Sequence, residues 1–192
     1  MNRAELKAAA KQQIKGKIGI LFLISLVISI ISGLASSIVA PLALLVTAAF
    51  SLSTARVYLT VSRDYDVTVK DAFSGFDDFW SAFKVTFLQG LFTMLWSFLF
   101  IIPGIIKGIS YSMALYILAE NKGKSARECI KESMEMTNGH KMELFVLSLS
   151  FIGWFFLIGI TFGIAAIWVV PYMNTTLANA YQKLKPAQSV EE

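Results

Sequence analysis

The sequence predicts an all-α membrane protein with six transmembrane helices in three hairpins. Hydrophobic residues make up 56% of the 192 residues and charged residues only 16%, against about 25% charged in soluble domains. The apolar residues also form long runs, such as 18–34 and 144–160. About 20 mostly apolar residues cross the hydrocarbon core of a bilayer, so these runs are long enough to span it.

Six apolar segments follow one another along a single predicted membrane domain, residues 1–192. Their predicted bounds are 18–35, 38–60, 85–102, 104–120, 143–160 and 163–181. The breaks within pairs are short and uncharged, at Gly33–Ser37, Pro103-Gly104 and Gly159–Gly163. Glycine and proline favour chain reversals, so each pair is predicted to form a helical hairpin. The first segment exceeds the roughly 7–15 apolar residues of a signal peptide, which favours a retained span.

The basic residues predict the orientation in the membrane. All but two of the 17 lysines and arginines lie before the first span, in the two long loops or after the sixth span. Such residues collect on the cytoplasmic side, so a multi-pass cell-membrane protein with cytoplasmic N- and C-termini is predicted. The net charge of +4 follows from this bias, and no nucleic-acid partner is expected. Of the two exceptions, Arg56 is interpreted as snorkelling to the head groups, and Lys107 lies near the outer face.

An amphipathic cytoplasmic helix is predicted before each hairpin. The patterns Asn2–Glu5, Thr68–Asp71 and Ser125–Glu128 resemble capping boxes, in which two side chains satisfy free N–H groups at a helix start. Apolar residues follow at helical spacing: Leu6, Ala10 and Ile14, then Phe73, Phe76, Phe79, Trp80 and Phe83, then Ala126, Cys129, Ile130 and Met134. Such helices lie among the head groups or cover the end of the bundle. A partner-binding helix is the alternative.

The same segments predict a threefold internal repeat with units of about 2–62, 68–121 and 125–182. From each cap to the lysine before the next span the distance is 15, 16 and 16 residues, ending at Lys17, Lys84 and Lys141. Each unit would contain an amphipathic helix, a lysine and a hairpin. The alternative is that any six-span protein with short outer turns shows this alternation.

The sequence contains no pattern typical of catalysis or cofactor binding. His140 and Cys129 are the single histidine and cysteine, which excludes a histidine-centred metal cluster and a disulfide within the chain. Five aspartates of one loop are interpreted as solvated charges rather than an acid–base pair: Asp64, Asp66, Asp71, Asp77 and Asp78. P-loop, GxSxG and CxxC patterns are absent. Neither an enzyme nor a cofactor is predicted.

Polar residues inside the predicted spans are the candidate functional residues. They are the candidate polar intramembrane contacts Lys107, Tyr111, Tyr172, Thr176 and Asn179. Lys107 is interpreted as an anchor that reaches a lipid phosphate or a carbonyl freed by Pro103, with a substrate or peptide contact as the alternative. Tyr172, Thr176 and Asn179 share one helical face. They are interpreted as bonding to neighbouring helices, with a polar cavity lining as the alternative.

Several short motifs carry a family resemblance. They are Asn2–Lys7, Lys15–Lys17, Ile101–Lys107, Ser110–Met113, Gly139–Lys141, Leu149–Trp154 and Pro171-Tyr172. Together they resemble the bacterial integral membrane family catalogued as domain of unknown function 975, over nearly the whole chain. The resemblance implies a cytoplasmic-membrane protein of a Gram-positive bacterium. It supplies no assigned activity and no functional residues.

Three functional classes follow from these observations. The favoured class is a non-enzymatic membrane module that binds lipid, peptide or a membrane protein partner within the bilayer. The alternative is a small transporter or channel subunit for a small solute or peptide. A membrane-embedded enzyme has the least support because no catalytic constellation is present. The sequence does not specify the ligand or the oligomeric state.

Overall fold

The computed structural model describes residues 2–38, 40–99 and 101–185, and the regular structure of these residues is entirely helical. The all-α class is therefore confirmed. The α-helices are α1 Arg3–Gln13, α2 Ile18–Ile38, α3 Ala40–Ser62, α4 Phe79–Leu99, α5 Ile101–Tyr111, α6 Ala114–Glu120, α7 Ala126–Met136, α8 Lys141–Leu149, α9 Ile152–Ile160 and α10 Ala166–Leu184. A 3₁₀ segment, Val69–Asp78, precedes α4.

Three helices of the described part are long and apolar enough to cross a membrane. They are Leu45–Ser62 in α3, Ile102–Glu120, which combines α5 with α6, and Lys141–Ile160, which combines α8 with α9. A fourth is added if Arg3–Gln13 and Ile18–Gly33, which bend by 92°, are counted as one broken span. The chain therefore has helices suited to a bilayer, but the predicted arrangement of six spans in three hairpins is not confirmed.

The predicted amphipathic helices occur where their caps indicated. In the third of them, the Glu128 amide donates to Ser125 Oγ at 3.3 Å and the Ser125 amide donates to Glu128 Oε2 at 3.1 Å. The Thr68 amide donates to Asp71 Oδ2 at 2.6 Å, although the helix that follows is 3₁₀ rather than α. At the first start, Asn2 accepts from the Ala4 amide at 3.1 Å.

The apolar faces predicted for α1 and α7 are the buried ones. In α1 they are Leu6 and Ala10, followed by Ile14 just beyond its end. In α7 the fully buried residues of this face are Ala126, Cys129 and Ile130, with Met134 half-buried. By contrast, Phe73, Phe76 and Trp80 of the second segment remain at least 41% exposed. The second segment thus presents aromatic rings at the surface, as suits the boundary of a membrane.

Two predicted helix boundaries are wrong. The third apolar segment was expected to begin at residue 85, but α4 begins at Phe79, directly after the 3₁₀ segment. Lys84 therefore lies inside a helix, whereas Lys17 precedes α2 and Lys141 opens α8. The second boundary is the expected break at Pro103-Gly104, since both residues lie in the first turn of α5. Proline is tolerated there because that N–H has no helical partner to lose. The threefold repeat is not confirmed.

The two remaining breaks have different outcomes. Gly33 lies within the continuous helix α2, which runs to Ile38, because a single interior glycine costs a helix only about 1 kcal/mol. The connection to α3 falls at residue 39, outside the described residues. The break at Gly159–Gly163 is confirmed: α9 ends at Ile160, and Gly163 has a φ of +90°.

Helix α3 lies at the centre of the bundle and packs against α2, the 3₁₀ segment, α4, α6 and α10. Small buried residues such as Ala49 and Ser53 let neighbours approach closely. The closest is Gly75, whose amide donates to Ser53 Oγ at 2.8 Å. A Cβ at Gly75 would overlap the Ala49 carbonyl oxygen.

The Lys141–Ile160 helix is packed least of the three candidate spans, since only 17% of it is buried. Its apolar surface is therefore free to face lipid.

Candidate functional site

A large cavity lies where α3, α6 and α10 end. Its volume is about 740 Å³, and we call it the vestibule. The sequence predicts that these three helix ends face the cytoplasm. Its charged lining residues are Arg56, Arg63, Asp66, Asp71, Asp77, Glu120, Lys122 and Lys185.

The Glu120 carboxylate ties three helices together at the vestibule. It forms ion pairs with Arg63, just after α3, and with Lys185, just after α10, whose Nζ lies 2.8 Å from Oε2. The Tyr181 hydroxyl donates to the same oxygen at 2.7 Å. The Glu120 side chain is only 10% exposed, so these donors offset the cost of removing its charge from water.

Arg56 is held by the 3₁₀ segment rather than by lipid. Its guanidinium forms an ion pair with Asp78 and donates to the Ser74 carbonyl oxygen. The side chains of Arg56 and Asp78 are 12% and 18% exposed. The interpretation of Arg56 as snorkelling to head groups is therefore wrong, as is that of Asp78 as a solvated loop charge. A charge with so little exposure requires an opposite charge nearby, and the folded-back segment provides it.

Of the eight charged lining residues, Arg56 and Glu120 are held in the ion pairs described above, and the other six come from two sets of elements. The 3₁₀ segment and the residues before it contribute the acids Asp66, Asp71 and Asp77. The residues after α3, α6 and α10 contribute the bases Arg63, Lys122 and Lys185. Apart from Arg56 and Glu120, one set of elements therefore supplies acids and the other supplies bases. We define the acidic side by its three aspartates and the basic side by its three cations.

Two of these charges are free to meet a ligand. Lys122 and Asp77 are exposed, and among the described residues neither forms an ion pair or a side-chain hydrogen bond. Asp66 is 96% exposed and lies 3.5 Å from Lys17. Asp71 is occupied by its cap on Thr68. A polar ligand could therefore reach one unpaired charge of each sign without breaking an existing ion pair.

The described part of the chain offers little for metal or covalent chemistry. Within it, no group of three or more histidine, cysteine, aspartate or glutamate residues could hold a metal ion. Cys129 is fully buried in α7, and burial raises the pKa of its thiol to about 11. A thiol with so high a pKa is almost entirely protonated at neutral pH and is a poor nucleophile.

The two candidate residues of α5 pack against α4, away from the vestibule. The Lys107 ammonium lies 4.9 Å from the ring centre of Trp96. Tyr111 is buried, its carbonyl accepts from the Gln89 side chain of α4, and its ring centre lies 6.1 Å from that of Phe92. The aromatic partner of Lys107 was not foreseen, although a cation over an indole face is a common stabilising contact.

Tyr172 belongs to an aromatic cluster, which we define as the buried Phe151 and Tyr172 with the half-buried Trp154 and Trp168. Its ring centre lies 5.4, 5.9 and 5.2 Å from those of Phe151, Trp154 and Trp168. The Lys11 ammonium from α1 lies 5.7 Å from the Tyr172 ring centre. The aromatic cluster therefore joins α9 and α10 to α1.

Thr176 and Asn179 bond differently although they share a face of α10. The Thr176 hydroxyl donates to the Tyr172 carbonyl of its own helix at 2.7 Å. Asn179 donates to Gln13 Oε1 at 2.8 Å, and Gln13 in turn donates to the Ser62 carbonyl at 2.8 Å. Asn179 thus makes the cross-helix bond expected of this face, whereas the Thr176 hydroxyl donates to a carbonyl of its own helix.

None of the five candidates lines the vestibule. Its main ion pairs involve Arg63, Glu120 and Lys185, which sequence reasoning treated only as charges flanking spans. One signal was available, since each of these residues lies at or just after the predicted inner end of an even-numbered span. Residues at the same ends of antiparallel hairpins share one membrane level, where opposite charges can meet.

Comparison with known proteins places the chain in one group. The family model described as "Protein of unknown function (DUF975)" matches residues 1–110 and 100–188. These two matches together cover nearly the whole sequence. No curated protein and no solved structure matches the chain.

Proposed function

The chain belongs to the DUF975 family of proteins of unknown function, and from that premise we propose that it is a six-span, non-enzymatic membrane module that binds a zwitterionic lipid head group. The ligand carries a primary ammonium and a phosphate, as phosphatidylethanolamine does. The observation that carries the proposal is the vestibule with one acidic and one basic side.

The proposed topology has both termini in the cytoplasm of a bacterial cell. The distribution of lysine and arginine along the chain supports it. So does the meeting of Arg63, Glu120 and Lys185 at one place, because these residues follow or end the proposed second, fourth and sixth spans. In this topology the vestibule opens at the level of the inner-leaflet head groups.

The charges of the vestibule match the two ends of such a head group. Lys122, on the basic side, suits the phosphate, because an ammonium binds it through charge-assisted hydrogen bonds. Asp77, on the acidic side, suits the lipid ammonium for the same reason. A ligand of one sign would satisfy one side and be repelled by the other. A zwitterion is therefore preferred over an anionic lipid.

A small transporter or channel is the second candidate. It would use two further cavities between α2, α3 and α10, which lie at membrane depth in the proposed topology. Their described lining contains no aspartate, glutamate, histidine, lysine or arginine. Coupled transport commonly relies on an ionisable residue at that depth, so this candidate has less support.

Binding to purified protein in detergent tests the head-group proposal. Short-chain phosphatidylethanolamine and phosphatidylglycerol are titrated against the wild type, Asp77→Asn and Lys122→Gln. We expect Asp77→Asn to weaken phosphatidylethanolamine binding about tenfold and leave phosphatidylglycerol unchanged, since a hydrogen bond to a charged group contributes about 1.5–3 kcal/mol. Lys122→Gln should weaken the binding of both lipids.

Matched controls come from α7, outside the vestibule. Lys131 and Glu135 lie 3.8 Å apart at the surface, so Lys131→Gln and Glu135→Gln each remove one exposed charge of the same type. Titration with soluble phosphoethanolamine shows whether the site binds the free head group or requires the whole lipid. Equal affinities of the wild type and both vestibule variants for phosphatidylethanolamine would refute the proposal, as would equal losses in the controls.

A further inference from the structure

Two neighbouring cavities lie along the contact between α2 and α10. The inner cavity, of about 180 Å³, also reaches α3. The outer cavity, of about 210 Å³, reaches the turn before α10. Ser25, Ser29 and Val170 line both of them. The two cavities therefore flank a single narrow helix contact, and we call them together the α2–α10 groove.

The polar groups of the groove are uncharged. The inner cavity carries the side chains of Thr54, Tyr58 and Asn174 beside the shared serines. The Tyr58 hydroxyl lies beside Ser25 and Asn174. The Asn174 amide and the Thr54 hydroxyl donate to the Val170 and Phe50 carbonyls of their own helices. Ser29 is exposed and makes no side-chain hydrogen bond within the described part of the chain. It is the hydroxyl left to meet a ligand.

The outer cavity adds an unusual acceptor. Pro171 lies inside α10 and lacks the N–H that the Ile167 carbonyl would accept in a regular helix. Both residues line the outer cavity. Apolar side chains surround them, and Leu26 and Ile167 are 41% and 37% exposed. The groove is thus open to lipid on one side and lined with hydrogen-bonding groups on the other.

We infer that the α2–α10 groove binds a neutral lipid that carries a free hydroxyl and ester groups, of the diacylglycerol class. A charged head group is disfavoured, because no residue lining the groove carries an opposite charge and burying an unpaired charge is costly. A plain hydrocarbon would leave the Ser29 hydroxyl and the Ile167 carbonyl unsatisfied. Ester carbonyls accept from Ser29, while the lipid hydroxyl donates to the free Ile167 carbonyl.

This site is independent of the vestibule and rests only on the membrane location in the proposed function. The test uses full-length protein in nanodiscs that contain a photoactivatable diazirine diacylglycerol. The sites of labelling are mapped by mass spectrometry of peptides. We expect the label in α2 and α10, with excess unlabelled diacylglycerol suppressing it and phosphatidylglycerol not suppressing it.

Two substitutions of Ser29 distinguish the effect of filling the groove from the effect of losing one hydrogen bond. Ser29→Leu places a larger apolar side chain between the two cavities and should lower labelling about tenfold or more. Ser29→Ala removes only the hydroxyl and should lower it about three- to tenfold. The control is Ser51→Leu in α3, because Ser51 donates to the Thr47 carbonyl and lines neither cavity.

Other outcomes overturn the inference directly. Unchanged labelling in Ser29→Leu, or equal competition by phosphatidylglycerol, would show that the groove does not select a neutral lipid. Equal loss in Ser51→Leu would point to general destabilisation of the bundle. Lys122→Gln should leave the labelling intact, so a failure of the head-group proposal is distinguishable from a failure of this one.

Discussion

The first and second amphipathic segments enter their long helices in different ways. Between α1 and α2 the chain turns through Ile14–Lys17 and the helix axes bend by 92°. Between the 3₁₀ segment and α4 there is no turn at all. The difference lies in one residue: Gly16 has a φ of +85°, a backbone conformation that other residues adopt at a cost.

The third junction resembles the first. Gly139 has a φ of +82° in the turn that separates α7 from α8. No glycine precedes Lys84 at the corresponding position of the second segment. The same amphipathic pattern therefore yields a separate helix where a glycine breaks the chain and a continuous one where it does not.

The two kinds of segment are also held by different forces. The detached α1 is fixed by Gln13, which donates to the Ser62 carbonyl and accepts from Asn179, and by an exposed ion pair of Glu5 with Lys183. The continuous 3₁₀ segment is fixed by a buried ion pair, Arg56 with Asp78, and by the close approach of Gly75 to α3. We therefore expect the second segment to be the more sensitive to substitution.

The largest effect is expected from Asp78→Asn. It leaves the Arg56 guanidinium buried without an opposite charge, which costs roughly 3–5 kcal/mol of unfolding free energy. The double variant Arg56→Met with Asp78→Leu should recover most of this loss, because it removes both charges. Unfolding in mixed micelles followed by circular dichroism measures both effects.

The control for Asp78 is Asp64→Asn in the same loop. Asp64 is exposed, so its replacement should change stability by less than about 0.5 kcal/mol. If Asp78→Asn is as mild as this control, the ion pair does not hold the segment, and the contrast with α1 disappears.

Gly75→Ala should have the next largest effect. The new methyl group would overlap the Ala49 carbonyl oxygen and approach the Ser53 amide to 2.7 Å. Overpacking of this kind costs about 1–3 kcal/mol or more. Gly90→Ala in α4 is the matched control, since a Cβ there meets nothing within 4 Å, and it should stabilise by about 0.5–1 kcal/mol. The same unfolding measurement should show a loss of stability for Gly75→Ala and a gain for Gly90→Ala. A change of the same sign in both variants would contradict the packing argument.

The smallest of the three effects concerns the bend itself. Gly16→Ala forces an L residue into the left-handed region and should destabilise by about 1–2 kcal/mol. Gly19→Ala lies just inside α2, where a Cβ meets nothing within 4 Å, and should be neutral or stabilising. If both substitutions behave alike in the unfolding assay, the glycine does not set the junction.

Local sequence signals predicted the helical class, the three cap positions and the buried faces of α1 and α7. Each of these features depends on residues within one or two helical turns of one another. The pairing of Arg56 with Asp78 and the meeting of three helices at Glu120 were missed, because they join residues distant along the chain. The predicted start of α4 is also wrong, because the lysine pattern predicts a span boundary at Lys84, whereas helix continuity depends on the backbone and not on charge.

The shielding of Cys129 has a practical consequence for chemical labelling. Because its thiol is buried and protonated at neutral pH, the native chain reacts little with thiol reagents and contributes little background labelling. A cysteine introduced at Phe162, which is 98% exposed in the turn between α9 and α10, would be the dominant reactive thiol. In the proposed topology a membrane-impermeant maleimide labels it from outside intact cells, whereas a cysteine at Lys122 is labelled only after lysis.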